Sequence, residues 1–496
     1  MRPATSSRVI TLVATVAALV AVVGPPAANA GKPVKDVTWS DEPVDFGTLE
    51  TFAEATKVLR LTNTGTKTLR KPEVVISRSS SSDINISSNG CTGVVLKPGQ
   101  WCELTVRFLP TAASARTATI TATAARESWS VGVIGNGVAM EAPTALVAGY
   151  LYSCAVLTGG GAACWGSNIS GNLGNGTTND AEVRRRVSGL TSGVTSIDTG
   201  IDHACAVVSG GVKCWGGNTY GQVGNGTTSQ ALTPVDVSGL SSGVASIAIG
   251  YVHSCALTTA GGVKCWGGNG ESQLGNGVAG DSSTPVDVDG LSSGVASIAA
   301  YGNHTCALST GGGVKCWGAG YFGQLGNGGL SNSNVPVDVS GLSSGVASIS
   351  AGDYFSCAVT TAGAAVCWGN NFSSRLGNPG AGFSQTTPVP VLQLTSGVAS
   401  VASGDGFSCA LTTSGGAKCW GGGGLGQLGD GTETSERATV ADVTGLTSGV
   451  SALSVGGAHA CAVLTSGAFQ CWGFNGYGQV GDGTFTNRST PTSLIW

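Results

Sequence analysis

The feature that most constrains this chain is a sequence unit that occurs seven times between residues 154 and 472. In each copy a cysteine is followed nine or ten positions later by Cys-Trp-Gly, and successive first cysteines lie 50 to 52 residues apart. A fixed period of this length, with strand-like segments inside it, is typical of a propeller or a solenoid. Seven units of about 50 residues predict a closed seven-bladed β-propeller. We place it at residues 143–496.

The cysteines indicate an oxidising compartment. All 16 fall into eight local pairs, and an even, locally paired set is typical of disulfides in an exported chain. Zinc is the weaker interpretation, because the chain has no Cys-x-x-Cys and no histidine at ligand spacing beside the pairs. We therefore expect no metal and no other cofactor. The expected disulfides join Cys91 with Cys102, Cys154 with Cys164, Cys205 with Cys214, Cys255 with Cys265, Cys306 with Cys316, Cys357 with Cys367, Cys409 with Cys419, and Cys461 with Cys471.

The first thirty residues have the pattern of a secretory signal peptide. Arg2 and Arg8 give a basic start, residues 9–23 an apolar run, and Ala28-Asn29-Ala30 a cleavage site of small residues. The apolar run is short for a membrane span, and no other long apolar segment follows. We expect residues 1–30 to be removed, leaving a secreted or cell-surface chain that does not span a membrane.

Charge argues against nucleic acid as a partner. Residues 143–496 hold 10 Lys and Arg against 17 Asp and Glu, a net charge of −7. Proteins that bind nucleic acid present a basic surface to the phosphates. We expect instead a monomer that binds another protein or a cell-surface glycan.

Residues 31–139 lie outside the repeat and predict an immunoglobulin-like β-sandwich. Turn signals such as Asn63-Thr64-Gly65 and Lys97-Pro98-Gly99 separate short strand-like segments. About seven such segments in a stretch of roughly 105 residues are typical of this fold. The segments are residues 44–49, 57–62, 73–78, 83–87, 103–108, 117–123 and 130–134.

Four short motifs in this region resemble the immunoglobulin-like domains of the abnormal-spindle and hydin type. They are Leu-Thr-Asn-Thr-Gly at 61–65, Leu-Lys-Pro-Gly at 96–99, Val-Arg-Phe-Leu-Pro at 106–110 and Gly-Asn-Gly at 135–137. The resemblance implies a spacer or an adhesion module.

The third repeat illustrates the predicted blade. Its four strands are expected at 244–250, 253–258, 262–267 and 284–288, with a tight hairpin at 259–261. That hairpin places Cys255 beside Cys265, and Trp266 is suited to packing between blades. First strands such as 347–352 are rich in Ser, Ala and Gly, so we place this strand innermost, at the crowded axis.

The repeat resembles that of the regulator of chromosome condensation family. The matching text is Gly-Tyr-Val-His-Ser-Cys-Ala-Leu at 250–257, Gly-Val-Lys-Cys-Trp-Gly at 262–267, Thr-Pro-Val-Asp-Val at 284–288 and Gly-Gln-Leu-Gly-Asn-Gly at 323–328. The resemblance implies a seven-bladed propeller, and the paired cysteines suggest an exported, bacterial-type version. The family's best-known member exchanges guanine nucleotide on a nuclear GTPase. The signal peptide and the cysteines argue against that activity here, and fold alone does not transmit function.

Nothing in the sequence predicts an enzyme. There is no Ser nucleophile motif, phosphate loop or paired-carboxylate signature. The four histidines share one repeat position with Tyr152, Phe355 and Phe407, which favours packing plus a backbone hydrogen bond over metal binding. These histidines are His203, His253, His304 and His459.

One face of the predicted propeller is the better candidate for binding. In a four-stranded meander the first-to-second and third-to-fourth loops lie on the same face, and all eight tyrosines fall in or beside them. Tyrosine is enriched at binding hot spots. Some loop positions also differ from blade to blade, either because they bind a partner or because nothing constrains them. The predicted binding residues are Tyr150, Asp202, Tyr251, Tyr301, Asn303, Asp353, Tyr354 and Asp405. We place Arg375, in a long third-to-fourth loop, further out on this face.

Three functions are compatible with such a face. The first is a non-catalytic exported scaffold that recognises another protein. The second is a carbohydrate or cell-wall binding module, because Asp beside Tyr also suits sugar hydroxyls or a cation. The third is a secreted enzyme inhibitor similar to the propellers that inhibit β-lactamases.

Overall fold

The computed structural model describes residues 36–78 and 82–495. These residues form β-strands and connecting turns, and the only helical segment among them is a 3-10 turn at Phe372–Ser374. The predicted all-β class is therefore confirmed. The predicted signal peptide lies outside the described residues. No helix within the described ranges is long and apolar enough to cross a membrane.

By its internal contacts the chain divides into two compact units. The first holds the described residues 36–45, 56–78, 82–107 and 117–133. The second holds residues 46–55, 108–116 and 134–495. Two four-stranded sheets precede the repeats, ordered β1-β3-β8-β6 and β2-β10-β9-β5, and a two-stranded sheet pairs β4 with β7. Their strands are β1 (Val37–Trp39), β2 (Val44–Glu50), β3 (Ala55–Asn63), β4 (Leu69–Arg70), β5 (Glu73–Arg78), β6 (Ile84–Asn89), β7 (Val95–Leu96), β8 (Trp101–Phe108), β9 (Ala115–Ala124) and β10 (Glu127–Val138). Each of the seven predicted segments overlaps one of these strands.

The N-terminal sheets bury one face each. Buried and exposed residues alternate along β8, β9 and β10, as expected for strands with one face on a core. The rings of Phe46 on β2 and Phe108 on β8 lie 5.6 Å apart, joining the buried faces of the two sheets.

Seven four-stranded sheets follow, each an antiparallel meander in chain order. We number them one to seven. Sheets one to four contain β11 (Pro143–Ala148), β12 (Tyr152–Leu157), β13 (Ala162–Gly166) and β14 (Ala181–Arg186); β15 (Val194–Thr199), β16 (His203–Val208), β17 (Gly211–Gly216) and β18 (Ala231–Asp236); β19 (Val244–Ile249), β20 (His253–Thr258), β21 (Val263–Gly267) and β22 (Ser282–Asp287); β23 (Val295–Tyr301), β24 (His304–Ser309), β25 (Val314–Gly318) and β26 (Ser333–Asp338).

Sheets five to seven continue the same pattern. They contain β27 (Val346–Gly352), β28 (Phe355–Thr360), β29 (Ala365–Asn370) and β30 (Ser384–Pro390); β31 (Val398–Ser403), β32 (Phe407–Thr412), β33 (Ala417–Gly422) and β34 (Glu436–Asp442); β35 (Val450–Val455), β36 (His459–Leu464), β37 (Phe469–Gly473) and β38 (Arg488–Ser493).

The register of the second and third strands brings each repeat's cysteines together. Cys255 on β20 lies directly opposite Cys265 on β21, with Cα atoms 4.1 Å apart. No cysteine is free, and in the chain-entropy model each short loop closed in this way stabilises the fold by roughly 2–3 kcal/mol. All eight predicted pairs are bonded: Cys91 with Cys102, Cys154 with Cys164, Cys205 with Cys214, Cys255 with Cys265, Cys306 with Cys316, Cys357 with Cys367, Cys409 with Cys419, and Cys461 with Cys471.

The first strands of the seven sheets surround a central channel. They line a cavity of about 210 Å³, and most of the lining side chains are Ala, Ser, Ile and Val. The prediction that the first strand is innermost is therefore confirmed. Asp198, Ser350 and Ser454 occupy one repeat position on this wall, and each accepts a hydrogen bond from a backbone N–H of the neighbouring first strand, at 2.9–3.0 Å.

One tryptophan in each sheet joins it to the sheet before. The seven residues are fully buried, and every indole N–H donates to a carbonyl oxygen of the preceding sheet at 2.9 Å. Trp165 of sheet one donates to Gln479 of sheet seven, and a shared apolar cluster packs between these two sheets. The seven sheets therefore form a closed ring without a strand shared between the chain ends.

Candidate functional site

An anchoring side chain at the start of each second strand fixes the loop before it. In four sheets this residue is a buried histidine whose Nε2 lies 2.8–2.9 Å from a hydroxyl oxygen of the next sheet. Burial lowers the pKa of His253 to about 3 and of His304 to about 4, so these rings are neutral. The predicted packing role is confirmed, but the predicted backbone partner is a side-chain hydroxyl. The pairs are His203–Ser254, His253–Thr305, His304–Ser356 and His459–Ser153.

Two loop residues precede each anchoring residue, and the side chains at these two positions contact different parts of the structure. We call the first the inner position and the second the outer position. The inner positions are Tyr150, Ile201, Tyr251, Gly302, Asp353, Asp405 and Gly457, and the outer positions include Asp202, Asn303 and Tyr354. Seven of the eight predicted binding residues occupy these two positions, and Tyr301 lies one place before an inner position.

Three tyrosines meet at the channel mouth. The ring of Tyr251 lies 5.8 Å from that of Tyr150 and 5.5 Å from that of Tyr301, distances typical of favourable aromatic pairs. Tyr150 and Tyr251 come from inner positions. Tyr301 is the last residue of β23, one place earlier, and it also lines the channel wall.

Two aspartates complete the inner set. Burial, followed by the neighbouring Asp405 carboxyl, raises the pKa of Asp353 to about 8, and burial also raises the pKa of Asp405. Both shifts favour a proton shared by the pair. Arg375 opposes these shifts from beside the pair: it is 7% exposed, and its Nη1 donates to the Asp353 carbonyl oxygen at 2.8 Å. We call Tyr150, Tyr251, Tyr301, Asp353, Asp405 and Arg375 the mouth cluster.

Two buried polar atoms of the mouth cluster have no hydrogen-bond partner among the described residues. They are Oδ1 of Asp353 and the hydroxyl of Tyr301. Asp353 is 7% exposed, and a side chain at Gly302 would come within 3.0 Å of its Oδ1. Buried polar atoms are normally paired, so the cluster retains unused capacity to bind a polar group.

The outer residues Asp202 and Asn303 lie apart from the mouth cluster. The Asp202 carboxylate is 3.5 Å from Nε2 of Gln222, and the Asn303 side-chain oxygen is 3.4 Å from Nε2 of Gln273. Both contacts tie the short first loop to the long third-to-fourth loop. Their positions indicate support for the loops, although they remain predicted binding residues.

The outer residue Tyr354 belongs to a row of aromatic side chains. Its ring lies 5.7 Å from Tyr321 and 5.2 Å from Phe322, and Phe322 lies 6.4 Å from Phe383. Phe383 is 63% exposed. We call Tyr321, Phe322, Tyr354 and Phe383 the aromatic row. It continues from the mouth cluster, because Asp353 and Tyr354 are adjacent in the chain.

Sequence reasoning misplaced Arg375 by assigning it to the outer part of this face. Arg375 occupies the repeat position of Gln222 and Gln324, whose backbone carbonyls accept the tryptophan bonds. The Arg375 carbonyl does the same for Trp420, which holds its side chain beside Asp353. The sequence does contain a signal for this placement, because arginine stands at a repeat position that is Asn or Gln in the other sheets.

Family models match the repeats. The model described as "Regulator of chromosome condensation (RCC1) repeat" matches residues 209–257, 260–308 and 312–359. A second model of the same description matches residues 194–222, 244–273, 295–324, 346–375, 398–427 and 450–479.

Curated relatives share part of the chain. The Ultraviolet-B receptor UVR8 of Arabidopsis thaliana is 33% identical over 47% of this chain and 54% of its own length. The mitochondrial RCC1 domain-containing protein RUG3 of the same plant is 32% identical over 40% of this chain and 46% of its own. The human E3 ubiquitin-protein ligase HERC2 is 31% identical over 46% of this chain but 5% of its own. The chain thus spans about half, or much less, of these relatives.

Solved structures have the same fold in the repeat region. Human WBSCR16 aligns with a TM-score of 0.59 at 23% identity, over 67% of this chain and 93% of its own. Yeast RCC1 (Prp20), in its complex with Kap60, aligns with a TM-score of 0.60 at 22% identity, over 70% of this chain and 84% of its own. Together, the model matches and the relatives show that segments within residues 194–479 are similar to the regulator of chromosome condensation (RCC1) repeat.

Proposed function

We propose that this protein is an exported, non-catalytic scaffold whose channel-mouth face recognises another protein. In this proposal residues 1–30 are a signal peptide, residues 31–139 an immunoglobulin-like sandwich and residues 143–496 a seven-bladed propeller. The closed ring of seven four-stranded sheets supports the blade count. The two N-terminal sheets with facing cores support the sandwich.

Export is supported by the cysteine chemistry. Eight disulfides use all 16 cysteines, and disulfides persist in oxidising compartments. One relative, RUG3, is described as mitochondrial. Because every cysteine of this chain is paired in a disulfide, we place it outside the cytosol.

The observation that carries the binding proposal is the contrast between two groups of loop residues. The repeated residues are used in the ring: the tryptophans and anchoring histidines bond neighbouring sheets. Five of the residues that differ between blades instead meet at the channel mouth, where two buried polar atoms have no partner among the described residues. A relative of the same fold also supports a binding role, since Prp20p of Saccharomyces cerevisiae is described as binding Gsp1p and histones.

The test compares two double variants of the full chain. Tyr251→Ala with Tyr354→Ala removes one ring from the mouth cluster and one from the aromatic row. Tyr220→Ala with Tyr477→Ala removes two partly exposed rings, 46% and 38%, from one shared repeat position in the third-to-fourth loops. We expect a secreted protein of the source organism to be captured by the wild type and the control pair but lost by the first pair. Equal capture by all three chains would refute the site.

A carbohydrate ligand is the second candidate, favoured by the exposed Phe383 at the end of the aromatic row. Aromatic faces stack on the apolar faces of sugar rings, and carboxylates accept from sugar hydroxyls. This function predicts retention on wall polysaccharide, competition by free sugar and loss of both in Phe383→Ala. A protein-only scaffold predicts neither retention nor competition.

A further inference from the structure

We propose that the mouth cluster is a receptor for a lysine side chain presented by the partner protein. This inference deepens the proposed function, because it rests on the same face and names the chemistry that the face recognises. It depends on the two unpaired atoms of the cluster, the charge of its groups and the arrangement of its rings.

The unpaired atoms match the donors of an ammonium group. Asp353 Oδ1 and the Tyr301 hydroxyl oxygen are buried acceptors without partners among the described residues, and the Asp405 carboxyl adjoins Asp353. An ammonium carries three N–H donors and no acceptor. A lysine therefore supplies the donors that these acceptors lack, whereas an aspartate or glutamate would add a further acceptor to an acidic site.

The net charge of the mouth cluster would be balanced by one added positive charge. With both carboxyls ionised, Asp353 and Asp405 carry −2 and Arg375 carries +1, so the cluster lacks one positive charge. In the free protein that charge is supplied by a proton held on the aspartate pair. A lysine ammonium would replace the proton, and binding would release it to solvent.

The rings suit the rest of the lysine side chain. Tyr150, Tyr251 and Tyr301 form a continuous aromatic group beside the aspartates, and aromatic rings attract cations by about 0.5–2 kcal/mol. They also offer apolar surface to the methylene stem. The net charge of −7 over residues 143–496 would favour the approach of a basic partner.

Protonation makes the proposal sensitive to pH. The groups around the aspartate pair are Arg375 and the hydroxyls of Tyr150, Tyr251, Tyr301 and Tyr354, and burial raises the pKa of each of these tyrosines. They therefore stay neutral below pH 10, while burial lowers the pKa of Arg375 and the Asp353 and Asp405 carboxyls oppose that shift. The aspartate pair is the group that titrates between pH 7 and pH 9, so lysine binding should strengthen over that interval.

The test uses capped hexalysine and its fully acetylated form as probes, titrated calorimetrically into the full chain at pH 7 and pH 9. Asp353→Asn with Asp405→Asn removes the two carboxylates with little change of shape. The matched control is Asp236→Asn with Asp287→Asn, which removes two exposed carboxylates, each paired with a lysine of the neighbouring third strand. Thermal unfolding of each chain establishes that it is folded.

We expect hexalysine to bind more tightly at pH 9, with net proton release at pH 7 measured in two buffers of different ionisation enthalpy. The aspartate variant should bind about tenfold more weakly, Tyr301→Phe should bind a few-fold more weakly, and the control should match the wild type. Equal losses in the control and the aspartate variant, equal binding of acetylated peptide, or no binding at about 1 mM peptide would overturn the proposal.

The partner experiment separates this inference from the proposed function. A captured protein that is lost by Tyr251→Ala with Tyr354→Ala, but retained by Asp353→Asn with Asp405→Asn, would overturn lysine recognition and leave the protein-binding face intact. Failure of both pairs of variants to alter capture would overturn both.

Discussion

The indole nitrogen of Trp165 donates to the carbonyl oxygen of Gln479 at 2.9 Å, and this bond joins the first repeated sheet to the last. The six other sheets repeat the same bond with their predecessors. The contact that closes the ring is therefore chemically the same as those inside it, so the ring has no structurally distinct seam at this position.

Replacing Trp165 by Phe tests the contribution of that bond. The variant keeps most of the buried ring but removes one of the two donors to the Gln479 carbonyl, the Ser153 hydroxyl being the other at 2.9 Å, so we expect a loss of about 1 kcal/mol in unfolding free energy. Chemical denaturation measures it. Trp266→Phe inside the ring should cost a similar amount, and a much larger loss at Trp165 would contradict the equivalence of the seven contacts. Lys264→Ala is the surface control, because the exposed Lys264–Asp287 pair contributes about 0–1 kcal/mol.

A double-mutant cycle tests the anchor pairs. His253 contacts the Thr305 hydroxyl at 2.8 Å, whereas Phe407 precedes a sheet that has Ala460 in place of the hydroxyl residue. His253→Phe alone should leave the Thr305 hydroxyl without its histidine partner and lower the free energy of unfolding by about 2 kcal/mol. Adding Thr305→Ala should recover about 1 kcal/mol of that loss. Strict additivity in thermal or urea unfolding would mean that the two side chains are not coupled.

The channel wall predicts a pH dependence of stability. Burial raises the pKa of Asp198 from 3.8 to about 7, so between about pH 4 and pH 7 the folded chain holds a proton that the unfolded chain has lost. Stability at this site therefore falls as the pH rises through that window, and the loss is complete above pH 7.

Replacement by serine tests this account of Asp198. Ser350 and Ser454 fill the same position and accept the same backbone bond, so Asp198→Ser should raise stability at pH 8 by about 1–3 kcal/mol. It should also flatten the profile between pH 4 and pH 7. Ser454→Asp is the reciprocal variant and should introduce a comparable dependence. Parallel wild-type and Asp198→Ser profiles would contradict the assignment.

Disulfide removal should affect the two parts of the chain separately. Cys255→Ala with Cys265→Ala opens a ring sheet and should cost roughly 2–3 kcal/mol. Cys91→Ala with Cys102→Ala removes the disulfide of the N-terminal sheets. Calorimetry should show each pair of substitutions lowering a different unfolding transition. A single transition shifted equally by both pairs would show that the regions unfold as one.

Much of the fold followed from the sequence because the repeat imposes it. The 50 to 52 residue period and the local cysteine pairs predicted the hairpins, and the register of Cys255 with Cys265 agrees. The small residues of the first strands predicted the channel wall. These features depend on local spacing, which a sequence displays directly.

The site was less accessible to sequence reasoning because it depends on contacts between repeats. Variation between blades drew attention to Tyr251 and Asp353, which lie in the mouth cluster. It did not show that outer residues such as Asp202 contact the third-to-fourth loop instead. The burial of Arg375 beside Asp353 also required the structure. The carboxyl pair lies 52 residues apart in the chain, so no local motif could have predicted it.

Photo-crosslinking tests the central claim most directly, because it asks which face of the ring contacts the partner. A benzophenone amino acid would replace Tyr354 in the aromatic row or Thr259 in the hairpin on the opposite face. Each full-length chain would be irradiated with the secreted proteins of the source organism. We predict one crosslinked protein from position 354, competed by excess wild-type chain, and none from position 259. Crosslinking from position 259 alone, or equally from both, would contradict the assignment of the binding face.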